Sequence, residues 1–147
     1  MKILLVDDEP QYRVLLRSIL QEDGHEVLDA SDGREAYVKL GRVAVDLVIS
    51  DVYMPEMDGI KLHAKVRETP GMEGLPFLFV SAYDDPHTQG AVKDPRRDGF
   101  FRKGRPVSLL REWVKFLLTP YSRRTGPPPG EGRTRRLDDR KDRTSTA

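Results

Sequence analysis

The sequence predicts an α/β fold in which a five-stranded parallel sheet is covered by helices on both faces. Three observations lead there. Short, continuous apolar runs punctuate the chain, among them Lys2-Ile-Leu-Leu-Val6, Asp46-Leu-Val-Ile-Ser50 and Phe77-Leu-Phe-Val80. Runs of this length, rich in β-branched residues and Leu, suit strands buried on both sides. Helical patterns stand between them, and strands that alternate with helices pair in parallel. Finally, the first run leads into Asp7-Asp8 and the second into Asp51. Open α/β sheets bind their ligands at such carboxyl ends.

After the first strand, Glu9-Pro10 opens a helix, Pro falling in a first turn where its missing N–H costs little. Tyr12, Leu15, Leu16, Ile19 and Leu20 recur at i, i+3, i+4, i+7 and i+8, an amphipathic stripe that Gly24 stops. His25 to Ala30 reads as the second strand, with Val27 and Leu28 at its centre. Ser31-Asp32-Gly33 is turn chemistry, and a short helix carrying Ala36, Tyr37 and Leu40 follows to Gly41. Asp46 to Ser50 is the third strand. Met54-Pro-Glu-Met-Asp-Gly59 is a loop, with Asp58 and Gly59 as cap and turn. Ile60 to Thr69 is a third helix with Leu62 and Val66 on one face. Phe77 to Val80, ending at Ser81, is the fourth strand. The next helix is weak: Asp85 caps it, Pro86 starts it, Gly90 loosens it and Pro95 ends it. Gly99-Phe-Phe-Arg-Lys103 is the fifth strand, and Val107 to Leu118 a last amphipathic helix. Right-handed crossovers leave few ways to order these strands.

The chain has 147 residues, enough for one domain with a substantial core, and no apolar run long enough to cross a bilayer. No basic n-region followed by an apolar h-region and a cleavage site is evident. Cysteine is absent, which excludes disulfides and thiolate metal sites and fits a cytoplasmic protein. The net charge of +1 is unevenly spread. Residues 120–147 hold eight Lys/Arg and four Asp/Glu, a net +4, so the remaining 17 basic and 20 acidic residues give 1–119 a net −3. Composition shifts at the same place. Past residue 121 the Arg-, Pro-, Gly- and Thr-rich chain has one large aliphatic residue, Leu137. Such a segment cannot bury enough surface to offset ordering entropy, so disorder is expected from about residue 121. The expected organisation is one domain, 1–119, followed by a basic, disordered tail, 120–147.

Asp7, Asp8 and Asp51 converging at one end of the sheet would repel one another unless a hard cation sat among them, and Mg²⁺ prefers such oxygen ligands. Taken singly, each residue has a plainer role: Asp7-Asp8-Glu9 suits a helix dipole, Asp51 a strand end, Ser81 a loop, Lys103 a solvated terminus. His25, His63 and His87 lack metal-ligand company and read as structural or solvated, and Met54, Met57 and Met72 as loop packing. Taken together and in order, the set says more. Asp7-Asp8, Asp51 in Asp-Val-Tyr-Met-Pro-Glu-Met-Asp-Gly, Ser81-Ala82 and Lys103 each end a strand. In this the chain resembles the receiver domain of bacterial two-component response regulators, over roughly residues 1–119.

The resemblance implies a flavodoxin-like, doubly wound (βα)5 domain with strand order 2-1-3-4-5. It implies that Asp51 accepts a phosphoryl group from a sensor histidine kinase or phosphotransfer protein, with Ser81 and Lys103 contacting the phosphoryl oxygens. Mg²⁺ would be held by Asp7, Asp8, Asp51 and the backbone carbonyl of Tyr53. Ser81 and Phe100, three residues before Lys103, would form the switch. The fourth helix, fifth strand and fifth helix would be the surface that binds a downstream protein, and a homodimer through that surface is also in keeping. The residues suit this chemistry on their own account. A carboxylate is a competent nucleophile, and phosphoryl transfer asks mainly for alignment and charge neutralisation. The implied molecule is a cytoplasmic signalling protein, not an enzyme, with no membrane partner. Only the tail follows residue 119, so a stand-alone switch is expected. Arg123-Arg124 and Arg133-Thr-Arg-Arg136 could meet nucleic-acid phosphates, but interspersed acids and missing aromatics favour a solvated tail.

Three departures from the family pattern bear on function. Family members usually place Pro directly after the Lys, whereas Gly104-Arg105 precede Pro106 here. That puts the reach of Lys103 in question and sustains an alternative, a receiver that never takes phosphate and serves as a docking module. Ser81 replaces the commoner Thr and keeps the hydroxyl. Tyr53 and Tyr83, two past Asp51 and Ser81, set two rings beside the path of an attacking water, so a long-lived phosphorylated state is expected. Tyr53 also counts against a phosphatase of the haloacid dehalogenase type, which would need a second Asp there.

Overall fold

A computed structural model describes residues 1–130. The elements are β1 (Lys2–Val6), α1 (Pro10–Glu22), β2 (Glu26–Ala30), α2 (Gly33–Leu40), β3 (Leu47–Asp51), α3 (Gly59–Glu68), β4 (Phe77–Ser81), α4 (Pro86–Gln89), β5 (Asp98–Arg102) and α5 (Val107–Leu118). All five strands lie in one parallel sheet in the order β2-β1-β3-β4-β5. The parallel sheet is the one the residues predict, and its flavodoxin-like order is the one the resemblance implies.

Alternate strand residues feed two separate cores. Ile3, Leu5, Ile49, Leu78 and Val80 meet Leu16 and Leu20 of α1 and Leu110, Trp113 and Leu117 of α5. Leu4, Val6, Val48, Phe77 and Phe79 meet Ala36 and Leu40 of α2 and Leu62 and Val66 of α3. Side chains alternate faces along a strand, so a strand covered on both sides must be apolar at every position. That is why the runs are continuous.

Helix boundaries follow local chemistry. Asp32 and Asp58 cap α2 and α3 by accepting from the N–H of Glu35 and of Lys61, both at 2.8 Å. At α4 the N–H of Thr88 donates to Asp85 Oδ1 (2.9 Å) and the N–H of Asp85 to Thr88 Oγ1 (3.1 Å), a reciprocal box. Even so, α4 lasts one turn. Gly90, not Pro95, ends it, and residues 91–97 continue without helix. Glycine loses the most backbone freedom on entering a helix.

Asp98 opens β5 as a buried carboxylate with four partners. Its Oδ1 accepts from Arg67 Nη2 (2.6 Å) and pairs with His63 Nε2 (3.0 Å), and its Oδ2 accepts from the N–H of Lys93 (3.2 Å) and Asp94 (3.0 Å). It thereby ties α3 to the loop before β5. His63 is structural: its ring lies buried against Phe77 and Phe79, at centroid distances of 5.0 and 5.1 Å.

Residues 121–130 depart from the expected disorder. Tyr121–Arg123 form a 3-10 turn, and Arg124 hydrogen bonds to α5 and to the loop before β5. One arginine meeting several carbonyls supplies the ordering that composition argued against. The rest of the tail, including Arg133, Arg135 and Arg136, lies outside the described residues. Among the described residues no helix is long and apolar enough to cross a membrane.

Candidate functional site

Parallel pairing sets every strand's carboxyl end on one edge of the sheet. Val6 of β1 stands beside Ser50 of β3, Asp51 beside Val80 of β4, and Ser81 beside Arg102 of β5. The residues that follow therefore share a rim: Asp7 and Asp8, Asp51, Ser81 and Lys103. The backbone there is tightly held. Val52 N–H donates to Val80 O and Gly59 N–H to Val52 O, both at 2.9 Å. A Cβ on Gly59 would lie 2.1 Å from the Asp51 carbonyl oxygen, so only glycine lets α3 start so close to the strand.

Lys103 is the centre of the cluster. Its Nζ lies 3.0 Å from Asp51 Oδ2, 3.1 Å from Asp7 Oδ2 and 2.5 Å from Glu9 Oε1. The ammonium also stands 4.4 Å from the centroid of the Tyr12 ring. The two added residues before Pro106 do not withdraw it. Lys103 N–H still donates to Ser81 O at 2.9 Å, and Gly104 takes the turn with φ +93°. Asp7 is fixed in its turn, Oδ1 accepting from Glu9 N–H (2.8 Å) and its carbonyl from Arg13 (2.5 Å).

Burial sets the electrostatics. It raises Asp51 from the ordinary carboxylate range to about 6, against the lowering pull of Lys103 and with a further push from Asp7. Burial raises Asp7 as well, opposed by Glu9 N–H and Lys103. For Lys103, burial works against the charge, but Glu9 and Asp51 together raise its pKa. Tyr12 is pushed up to about 12 by burial. One ammonium thus meets three carboxylates, those of Asp7, Glu9 and Asp51, and the carboxylate of Asp8 stands beside those of Asp7 and Asp51.

The donor set fits a hard divalent cation. One carboxylate oxygen from each of Asp7, Asp8 and Asp51 lies within 4.8 Å of the others, and oxygen-only ligation with an excess of negative charge is what Mg²⁺ favours. Tyr53 is on the loop directly after Asp51, and its N–H donates to Asp51 Oδ1 at 3.2 Å.

Ser81 and Phe100 occupy neighbouring strands. The buried Ser81 Oγ accepts from Tyr83 N–H at 3.0 Å, and Phe100 is half-buried against the cluster that holds Phe77, Phe79 and Ala91. Above them the two tyrosines meet. Tyr53 and Tyr83 pack edge to face at 5.5 Å, His87 lies 5.4 Å from Tyr53, and the Tyr53 hydroxyl donates to Asp85 Oδ2 at 2.5 Å. That bond holds Asp85 below the ordinary carboxylate range and pushes Tyr53 up to about 12. Glu9, Tyr12 and Asp85 are participants that sequence reasoning passed over. The Asp-Asp-Glu run was the available signal for Glu9, but it reads equally well as a helix start.

The sequence matches the response regulator receiver domain over residues 3–115. It is 40% identical over 119 residues to an uncharacterized 14.6 kDa protein in the sodA1 3' region of Leptolyngbya boryana, covering 80% of this chain and 91% of that one. Of several other curated relatives the chain spans about half the length or less. The fold superposes on the signal receiver domain of a signal transduction histidine kinase from Syntrophus aciditrophicus, with a TM-score of 0.74 and 31% identity over 88% of this chain and 98% of that one. The response regulator protein TrrA of Thermotoga maritima, solved with Mg²⁺-BeF, gives 0.68 and 32% over 79% and 97%. TrrA in complex with the histidine kinase ThkA gives 0.67 and 33% over 80% and 98%.

Proposed function

The chain belongs to the response regulator receiver domain family, and on that premise we propose that it takes a phosphoryl group on Asp51 from a histidine kinase or phosphotransfer protein and thereby switches a partner-binding surface. The observation that carries this is the placement of Lys103, within 3.1 Å of both Asp51 and Asp7.

An Asp51 carboxylate oxygen attacks phosphorus. The O–P bond forms as the N–P bond to the donor imidazole breaks, and the imidazole leaves with the bonding pair. Lys103 moves its charge onto a phosphoryl oxygen, exchanging carboxylate partners for phosphate ones. The Ser81 hydroxyl donates to a second oxygen, giving up its present place as acceptor from Tyr83. Phe100 follows by turning further inward, which needs no hydrogen-bond partner because its ring has no hydroxyl. Asp7, Asp8, Asp51 and the Tyr53 carbonyl would hold Mg²⁺, which when bound offsets the charge gathered on the transferring group. The surface changed by this is that of α4, β5 and α5, where a downstream protein or a second copy would dock. The one-turn α4 and its unstructured continuation are the part of that face with least to hold it.

The domain responsible is residues 1–119. TrrA, similar in fold, has been solved both with Mg²⁺-BeF and with a histidine kinase, which supports the donor and the metal proposed here. Intact mass after incubation with Mg²⁺ and a small phosphodonor tests the reading. The parent gains one phosphoryl group and Asp51→Ala gains none. No gain on the parent would favour a docking module that is never phosphorylated.

A further inference from the structure

The chain turns back on itself after α5. Pro120 leads into the 3-10 turn, and Arg124 then fastens that turn to two elements. Its Nε donates to Thr119 O (2.9 Å) and Nη2 to Leu117 O (3.5 Å), at the carbonyl end of α5, while Nη1 donates to Arg96 O (2.5 Å) in the loop before β5. A cation is favoured at that helix end. The guanidinium lies 4.4 Å from the Phe116 ring centroid and 5.5 Å from that of Tyr121. Arg96 lies 5.9 Å from the Tyr121 centroid. The following residues run back along the helix. A Cβ on Gly130 would sit 3.0 Å from Leu109, near the start of α5. Pro95, Phe116, Gly126 and Pro128 line one cleft, so the Pro127-Pro128-Pro129 run lies over the junction of α5 with the loop before β5.

This segment lies against α5 and the loop that leads into β5, the outer strand of the sheet. A run of contacts joins it to the strand that leads into Lys103. The Trp113 ring lies against the backbone of Gly99 in β5, where a Cβ would come within 2.4 Å of it. Trp113 and Phe116 pack edge to face at 5.8 Å, and Phe116 carries Arg124. Three successive prolines lose little further freedom on docking, which makes an exposed segment of this kind inexpensive to hold in place.

We propose that residues 120–130 form an intramolecular cover, clamped by Arg124, over the β5–α5 side of the α4-β5-α5 surface, and that loading the Asp51 site releases it. The inference rests on the switch reading above. A partner and the cover compete for one face, so activation exposes that face. Linkage is reciprocal: if loading the site loosens the cover, removing the clamp must favour loading.

The test uses the full chain, with beryllofluoride and Mg²⁺ as the probe. Bound probe is read by fluorine NMR. The cover is read by amide exchange at Arg123 and Arg124, whose N–H groups donate to Pro120 O and Tyr121 O. In the parent, bound probe should speed that exchange about tenfold or more. Arg124→Ala should exchange fast without probe and bind the probe about fivefold or more tightly, and Tyr121→Ser should shift both in the same direction. Bound probe with unchanged exchange, or equal affinity in parent and variants, overturns the cover alone. No bound probe on the parent overturns the acceptor reading and the cover with it.

Discussion

The Lys103 ammonium lies 3.0 Å from Asp51 Oδ2 across 52 positions of chain. Asp7 and Glu9 hold the same ammonium, so on the proposed function the lysine stands beside the acceptor and leaves Glu9 to serve a phosphoryl group. Replacing it by an apolar chain of similar length keeps the carboxylates and removes that charge. Lys103→Met should therefore still bind Mg²⁺ but accept phosphate from a small donor roughly 100-fold more slowly. A mass-based time course with parental kinetics would remove Lys103 from the mechanism.

Asp51 itself should cost stability when no metal is present. Burial raises Asp51 to about 6 in the fold, against an unfolded value of about 3.9. The folded state thus binds the proton more tightly, so the stability it adds is complete below about pH 4 and is lost as the pH rises through about 6. With chelator near neutral pH, Asp51→Asn should melt roughly 3–8 °C higher, about 1–2 kcal/mol. Its stability should also lose the parent's fall between about pH 4 and 6. Thermal melts followed by circular dichroism decide it, and a variant that melts lower would refute the account.

Tyr53 and Tyr83 should protect the phosphorylated state. Their rings touch, and the Tyr53 hydroxyl is anchored to Asp85. Exchanging both for smaller or charged side chains, Tyr53→Asn with Tyr83→Glu, opens the approach of water. Loss of the phosphoryl group should quicken about tenfold, a barrier change of roughly 1.4 kcal/mol. Decay of the phosphorylated mass at parental speed would show that the rings do not obstruct.

Asp98 should set the acid limit of the fold. Burial alone would raise its pKa, yet His63, the Asp94 N–H and Arg67 hold it below the ordinary carboxylate range. Its stabilisation is present above the unfolded value of about 3.9 and disappears as the pH falls through the lower folded one. Asp98→Asn should destabilise by ~3 kcal/mol at neutral pH, because the Arg67 guanidinium loses the negative charge that compensates it. Urea titrations should show that deficit shrinking in acid. A constant deficit would place the role of Asp98 in hydrogen bonding alone.

Much of this molecule is legible in its sequence. Short continuous apolar runs such as Leu47-Val-Ile, rich in β-branched residues, declared strands covered on both sides, because such a strand has an apolar neighbour on each face. Asp7, Asp8, Asp51, Ser81 and Lys103 declared themselves by standing at strand ends, and parallel pairing then had to bring those ends together. Helix α4 was expected to be weak, and it is a single turn.

The partnerships between remote side chains were not legible. Glu9 reads as a helix start until Lys103 is seen against it, and Asp98, just before the strand expected from Gly99, draws no notice until Arg67 and His63 close on it. Arg124 looked like part of a solvated tail, since composition reports the average cost of ordering a segment and not the three carbonyls that one side chain can reach. Strand periodicity and acidic ends belong to the chain as a string, because burial on two faces acts on every residue locally. Which charge finds which, and whether residues 121–130 lie against α5, depended on distances that exist only once the sheet has closed.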